Sequence, residues 1–154
     1  MKPGKGIRAV CFAAALLPCL AAAFGCASSD VTPLLELPES IVVHSDGVES
    51  EYTEGEHEFV AAFNQLKSTA LDSDNLLETA IDPEMELKEG RCIEFVYGNA
   101  QHTGEGSKGA NSVIREYDRL LFFFSGPNAG EVVLGLDGRY MSGTYKTSAT
   151  LWPY

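Results

Sequence analysis

The 154-residue sequence has few cysteines and no residue spacing typical of a metal site. Three of its four cysteines, Cys11, Cys19 and Cys26, lie within or directly after an apolar amino-terminal run, which leaves Cys92 for the folded part. A lone thiol there excludes an intramolecular disulfide. No Cys-x-x-Cys or His-x-x-x-His pair occurs, so the sequence predicts neither a metal nor another cofactor.

Positive charge is also scarce, with 11 Lys and Arg against 22 Asp and Glu and a net charge of −11. Lys2, Lys5 and Arg8 all precede the apolar run, so a chain cleaved after residue 25 keeps 129 residues and carries a net charge of −14. Phosphate backbones repel so acidic a surface. The composition therefore argues against a nucleic-acid partner, and the length fits one domain.

The apolar run extends from Ala9 to Phe24 and is shorter than the span of about 20 residues that a membrane-crossing helix needs. Because basic residues precede it, the run is typical of a secretory signal. It ends in Ala23-Phe24-Gly25-Cys26, which resembles the lipobox of bacterial lipoproteins. We predict a lipoprotein signal peptide over residues 1–25 and lipid attachment at Cys26. The alternative is an ordinary secretory signal that is cut after Ala23.

The remaining chain divides into a short tether and one domain. Residues 26–39 contain two prolines and no helical or strand period, which predicts a linker. Residues 40–154 form the predicted single α+β domain. It begins with β-prone residues on both sides of Asp46-Gly47, a pair that favours a tight hairpin because its residues tolerate positive φ.

A helix is expected after this hairpin. Thr53 and Glu56 match a capping box, in which each side chain satisfies a free amide at a helix start. Apolar residues then recur at spacings of four, three and four, at Phe59, Phe63, Leu66 and Ala70. This pattern predicts an amphipathic helix of about four turns. Residues 75–90 fit either a short strand or an irregular connection.

The carboxyl half reads as strands. Residues 92–97 alternate between faces, and the nearly continuous apolar run of residues 117–124 is typical of a central strand. A second hairpin turns at Asp137-Gly138, between strands at residues 131–136 and 139–146. Together these patterns predict an antiparallel sheet of about five to seven strands, ordered as hairpin, helix and meander, with one amphipathic helix packed on one face.

Residues 104–109 spell the G-x-G-x-x-G pattern of a dinucleotide loop. That chemistry requires a helix directly after the loop to hold the pyrophosphate, whereas a strand is expected here. We therefore interpret residues 98–112 as a long hairpin loop, whose length is compatible with a binding function.

No catalytic residue can be assigned from the sequence. There is no G-x-S-x-G nucleophile elbow. Cys92 lies in an alternating strand, where it is expected to be a small core residue and not a reactive thiol. A hydrolase that uses Cys92 with His102 or nearby acids is the enzymatic alternative.

Aromatic residues with a polar end are concentrated in the carboxyl half, where an uncovered sheet face would present them. The candidate binding surface comprises Tyr97, Tyr117, Tyr140, Tyr145 and Trp152. Tyr and Trp are favoured at interfaces because they bury a large area at a small entropic cost. The alternative for each of them is core packing or cross-strand pairing.

The lipobox, the Ile-Val-Val hairpin, Glu-Tyr-Thr-Glu before the helix, Ile-Glu-Phe-Val-Tyr and Tyr-Asp-Arg-Leu-Leu-Phe together resemble small, uncharacterised lipoproteins of Gram-positive bacteria. The resemblance implies an extracytoplasmic location on the cell membrane, and it implies no reaction. Only Cys26 carries a role over from it.

The sequence thus predicts a membrane-anchored extracytoplasmic module that binds a protein, peptide or envelope ligand and is not an enzyme. Its expected membrane contact is the lipid on Cys26. The alternatives are a small envelope hydrolase and an accessory subunit of a surface complex.

Overall fold

The structure is a computed structural model that describes residues 34–72, 74–77, 79, 81–104 and 113–147. The chain divides into two units, Met1–Asp30 and Val31–Tyr154, and every described residue belongs to the second. The predicted signal peptide, Cys26 and Trp152 lie outside the described residues. Within the described ranges no helix is long and apolar enough to cross a membrane.

The described part contains seven strands and two helices. In chain order they are β1 (Ser40–Ser45), β2 (Val48–Thr53), α1 (His57–Leu66), β3 (Leu76–Leu77), α2 (Pro83–Glu89), β4 (Arg91–His102), β5 (Glu116–Phe123), β6 (Glu131–Leu136) and β7 (Arg139–Lys146). The strands form one sheet in the order β2-β1-β4-β5-β6-β7-β3. Every neighbouring pair is antiparallel, which confirms the predicted class of sheet.

Both predicted Asp-Gly hairpins are present. Asp46 and Gly47 have φ of 52° and 77°, and Asp137 and Gly138 have φ of 51° and 73°. Two successive residues with positive φ give a turn whose twist matches that of the flanking strands. These turns fix the registers of β1 with β2 and of β6 with β7 at their hairpin ends.

The predicted central strand lies in the middle of the sheet, with three strands on either side of β5. Four consecutive residues, Leu120, Leu121, Phe122 and Phe123, are at most 1% exposed. Because successive side chains of a strand point to opposite faces, both faces of the sheet must be covered at β5.

One face carries the larger apolar cluster. It includes Ile41 from β1, Phe95 from β4 and Leu120 from β5, together with three residues of α1, which are Phe59, Ala62 and Leu66. The other face carries a smaller cluster of Cys92, Leu121, Phe123 and Val133, with Leu87 of α2 packed against it. The described part therefore has two helices instead of the single predicted one, and residues of each helix join a different apolar cluster.

The first helix is shorter than predicted. It ends at Leu66, so Ala70 lies beyond it. The backbone N–H of Leu35 donates to the carbonyl of Lys67 at 2.7 Å, and this long-range bond occupies an oxygen that a continuing helix would use. The capping box forms in part: Glu56 accepts from the backbone N–H of Thr53, but Glu56 itself occupies the N-cap position.

The stretch around Pro83 is helix α2, so the expectation of a strand or an irregular connection there was wrong except for β3. Asp82 caps the helix by accepting from the N–H of Met85 at 3.3 Å, and Pro83 is its first residue. Proline suits this position because its missing N–H would have no helical partner. Seven residues are too few to display a helical period.

The connection after β4 begins at Thr103 and not at Gly98 as predicted. The register between β4 and β5 shifts between Val96 and Gln101, and pairing then resumes with Gln101 opposite Tyr117. The irregularity lets β4 run to His102. Residues 105–112 lie outside the described residues.

Candidate functional site

An open groove lies where β1 ends and β4 begins. Its volume is about 860 Å³, within the range of about 300–1,000 Å³ that small-molecule sites occupy. Its apolar lining consists of Val43, Tyr52, Ala61, Ala62, Ile93 and Phe124, and its polar lining of Ser45, His57, Glu58, Arg91 and Ser125. His44 and Cys92 also border the cavity, although they alternate with Val43 and Ile93 and so direct their side chains to the other face of the sheet. We call this cavity the α1 groove.

Strand register positions the apolar lining of the α1 groove. Val43 pairs with Ile93, so both side chains lie on the sheet face that carries the larger apolar cluster. Ser45 pairs with Arg91 at the strand ends. The N–H of Arg91 donates to the Ser125 hydroxyl at 2.8 Å, which ties the segment after β5 to the start of β4.

Two small residues of α1 leave the α1 groove open. Ala61 is half-buried and Ala62 is buried, and both line the cavity. Longer side chains at these positions would project into the space above Val43. The groove therefore depends on alanine at the positions where the helix meets the cavity.

A network of polar side chains lies on the opposite face of the sheet, centred on Glu94. The Glu94 carboxylate is buried and accepts from Arg119 at 3.1 Å and from the Tyr140 hydroxyl at 3.0 Å. Arg119 also contacts Asp118 at 3.3 Å. We call Glu94, Arg119, Tyr140 and Asp118, together with His44, the Glu94 network.

His44 is 5% exposed and lies between two carboxylates. Its Nδ1 is 3.5 Å from Glu49 and its Nε2 is 3.5 Å from Glu94. These separations are longer than ordinary N–H···O hydrogen bonds, and neither ring nitrogen has a partner with good hydrogen-bond geometry among the described residues. We therefore regard both as close contacts and not as hydrogen bonds.

The absence of a side chain at Gly135 makes room for Arg119. A Cβ at Gly135 would overlap with Cγ of Arg119 and would lie 3.3 Å from the Tyr140 ring. Gly135 stands opposite both residues, on the strand between them. A glycine at this position thus lets the arginine chain lie flat and reach Glu94.

The Glu94 network sets the protonation state of its central carboxyl group. Burial raises the pKa of Glu94, but the neighbouring His44 and Tyr140 and the charge of Arg119 outweigh burial and hold the pKa below its usual value. Burial and the Glu94 charge raise the pKa of Tyr140. At neutral pH the network therefore contains an ionised glutamate and a tyrosine that keeps its proton and donates it in a hydrogen bond.

Comparison with protein-family models, with curated proteins and with solved structures found no match. Neither the α1 groove nor the Glu94 network thus carries a role taken from a relative. What each can do rests on its own geometry.

Three of the predicted surface tyrosines are core residues. Tyr97, Tyr117 and Tyr145 are each at most 6% exposed, and Tyr97 meets Tyr117 edge to face with ring centroids 5.7 Å apart. Burial raises the pKa of Tyr117 to about 12. A ring this deeply buried cannot contact a partner, so the alternative of core packing and cross-strand pairing describes these three. Tyr140 is half-buried in the Glu94 network.

Cys92 lies in the smaller apolar cluster at 1% exposure, where its thiol contacts the carbonyl oxygen of Glu86 at 3.6 Å. Burial, with the charges of Glu86 and Glu94, raises its pKa to about 12. His102, which the hydrolase alternative would place beside Cys92, instead pairs with Glu116 at 3.2 Å. Cys92 thus lacks the thiolate and the access that a nucleophile needs.

Among the described residues no group of three or more His, Cys, Asp or Glu side chains is placed to hold a metal ion. The groove residues carried no motif in the sequence, since alanines on a helix and apolar residues on strands are typical of any core. The Glu94 network had one available signal. Glu94 is a charged residue between the apolar Ile93 and Phe95, and Arg119 directly precedes the apolar run of residues 120–124.

We predict that Cys92 resists thiol reagents in the folded protein. The buried thiol with a pKa of about 12 has almost no thiolate at pH 8. Labelling with iodoacetamide followed by peptide mass spectrometry should leave Cys92 unmodified without denaturant and modify it fully in 6 M guanidinium, a concentration of about the strength that unfolds most domains. Rapid labelling of the folded chain would restore the hydrolase alternative.

We also predict that acid removes the stabilisation that Glu94 provides. Because its folded-state pKa is lowered, this stabilisation is present above the unfolded-state pKa of about 4.3 and is lost as pH falls through the lower folded-state value. Urea unfolding from pH 7 to pH 3 should show the wild type losing its advantage over Glu94→Gln. The exposed Glu54→Gln is the matched control and should track the wild type. A pH-independent gap between wild type and Glu94→Gln would contradict this account.

Proposed function

We propose that this protein is a non-enzymatic binding module, held at the outer side of a bacterial membrane by a lipid on Cys26, and that the α1 groove receives the apolar part of its ligand. The observation that carries the proposal is the groove itself, an open cavity of about 860 Å³ with an apolar lining and a polar rim. Sites of this form bind ligands by burying apolar surface while the rim fixes orientation.

We infer that α1 packs on the sheet face of the larger cluster and leaves the end near Val43 uncovered. Support comes from the ring contact of Phe63 with Phe95, whose centroids are 6.1 Å apart, and from the burial of Phe59 and Leu66. A helix of 10 residues spans about 15 Å, which is less than the length of the longest strands. The uncovered part of the face, beside the amino-terminal half of α1, is the α1 groove.

The chemistry of the described residues favours binding over catalysis. The Cys92 thiol is buried with a raised pKa, and the Glu94 carboxylate already accepts from Arg119 and Tyr140. A carboxylate in this state is a poor general acid, because it has no proton to donate at neutral pH. Neither group favours the hydrolase alternative.

The proposed lipid anchor is based on the residues that precede Cys26, which resemble a lipobox. Two acyl chains on one cysteine hold a protein stably on a bilayer, whereas one chain binds only marginally. With a net charge of −11 for the whole chain, the protein gains no attraction from anionic headgroups. A lipid would therefore have to supply the attachment.

The groove is tested with N-phenyl-1-naphthylamine, a neutral apolar fluorophore. Ala61→Trp should fill the cavity and weaken fluorophore binding by about tenfold or more, which corresponds to about 1.4 kcal/mol. Val60→Trp adds the same side chain at a neighbouring position that is 47% exposed and does not line the groove, and it should bind as the wild type does.

Circular dichroism and urea unfolding establish that both groove variants are folded. Equal weakening by the two substitutions, or binding that Ala61→Trp leaves unchanged, would show that the fluorophore sits elsewhere. Either outcome would remove the groove from the proposal.

The anchor is tested by the intact mass of the protein extracted from membranes of its native host. We expect a chain that begins at Cys26 and carries a diacylglyceryl group, and we expect Cys26→Ala to lose both that mass and membrane retention. A soluble product that begins after Ala23 would contradict the anchor and leave a freely secreted binding module.

A further inference from the structure

Strand β2 forms one edge of the sheet that the described residues build. It is the first strand in the sheet order, and β1 is its only neighbour among the described strands. The opposite edge, β3, has only two residues. An edge strand of six residues offers backbone donors and acceptors with which another extended chain can pair.

The turn at Asp46-Gly47 determines which backbone N–H and C=O groups of β2 point away from β1. In a hairpin with a two-residue turn the flanking pair, here Ser45 and Val48, exchanges both backbone hydrogen bonds. Inward and outward directions then alternate along the strand, so the N–H and C=O groups of Glu49 and Glu51 point away from β1.

Thr53 gives an independent check of this alternation, because it should also face outward. Its N–H donates to the Glu56 carboxylate, and its carbonyl accepts from the N–H of Glu56 at 3.2 Å. Glu56 thus occupies the end of the edge. The outward groups of Glu49 and Glu51 have no such partner among the described residues.

Side chains on the two faces of β2 differ in chemistry. Glu49 and Glu51 stand opposite His44 and Val42, on the face of the Glu94 network, and Glu49 is 73% exposed. Tyr52 points to the other face and lines the α1 groove. A strand added to β2 would therefore place alternate residues beside carboxylates and beside the groove.

We propose that the ligand is an extended polypeptide segment with alternating basic and apolar residues, which adds to β2 as an eighth strand. Its basic residues would face Glu49 and Glu51, and an apolar residue would enter the α1 groove beside Tyr52. Cross-strand pairs of opposite charge stabilise a sheet, and like charges destabilise it. A second copy of this chain is excluded as the occupant, since pairing β2 with β2 would juxtapose glutamates. This inference rests on the proposed role of the groove.

The test uses the acetylated and amidated peptide Lys-Val-Lys-Phe-Lys-Val-Lys and residue-resolved amide hydrogen exchange. We expect binding to slow exchange at the amides of Glu49 and Glu51 by at least about tenfold, because these groups become hydrogen-bonded. The counterpart with Glu in place of every Lys should not bind. A peptide with the Lys and apolar residues in two separate blocks keeps composition and charge, and it should bind at least about tenfold more weakly.

Two double variants separate local pairing from overall charge. Glu49→Gln with Glu51→Gln should weaken peptide binding severalfold, whereas Glu36→Gln with Glu89→Gln removes the same charge from exposed positions elsewhere and should have little effect. Equal weakening by the two pairs would mean general electrostatic attraction and overturn the inference. Glutamates on an edge strand also protect against pairing, and no slowing of exchange at Glu49 and Glu51 would assign them that role.

The two proposals fail separately. If the apolar fluorophore binds the wild type and not Ala61→Trp, while the peptide leaves the β2 amides unprotected, the groove function stands and strand addition is wrong. If the fluorophore result fails as well, both proposals are wrong.

Discussion

Burial of β5 on both faces is the constraint on which the remainder of the fold depends. Leu121 and Phe122 are neighbours in sequence, point to opposite faces and are each 0% exposed. Burying a large apolar side chain contributes about 1.5–3 kcal/mol, so leaving either face open at β5 would remove a large share of the stability of a domain this size. Each face of the sheet at β5 must therefore be buried separately, and different parts of the chain bury the two faces.

Because different segments bury the two faces of the sheet, the two faces differ in chemistry. The larger cluster includes residues of α1 together with Phe95 and Phe122, and the amino-terminal half of this helix lines the groove. On the smaller cluster, α2 contributes Leu87 at one end, and Tyr140 packs against the cluster while its hydroxyl bonds Glu94. A buried carboxylate is tolerated there because a cation and a hydroxyl satisfy it. One face thus carries an open groove, and the other holds its polar groups in fixed contacts.

Sequence patterns predicted the parts of the fold that depend on local physics. The Asp-Gly turns require residues that tolerate positive φ, and a strand that is apolar on both faces, such as β5, fits only the middle of a sheet. The structure confirms both predictions. The length of α1 depends on a bond from distant Leu35, and α2 is too short to show a period. The burial of the tyrosines was harder to predict, because a strand pattern assigns Tyr97 to one face of the sheet but does not show whether that face is covered. The Glu94 network and the α1 groove arise from register across several strands, which no local pattern encodes.

The most direct test of this account is residue-resolved amide hydrogen exchange on the unliganded protein. The doubly covered β5 should contain the slowest amides, those of Leu121 and Phe122, exchanging only through global unfolding. The outward amides of Glu49 and Glu51 should exchange far faster than the inward amides of Ser50 and Tyr52, as expected for a free edge. If Glu49 and Glu51 were as protected as β5, another part of the chain or a second molecule would already occupy the edge, and an account with an open edge beside the groove would be contradicted.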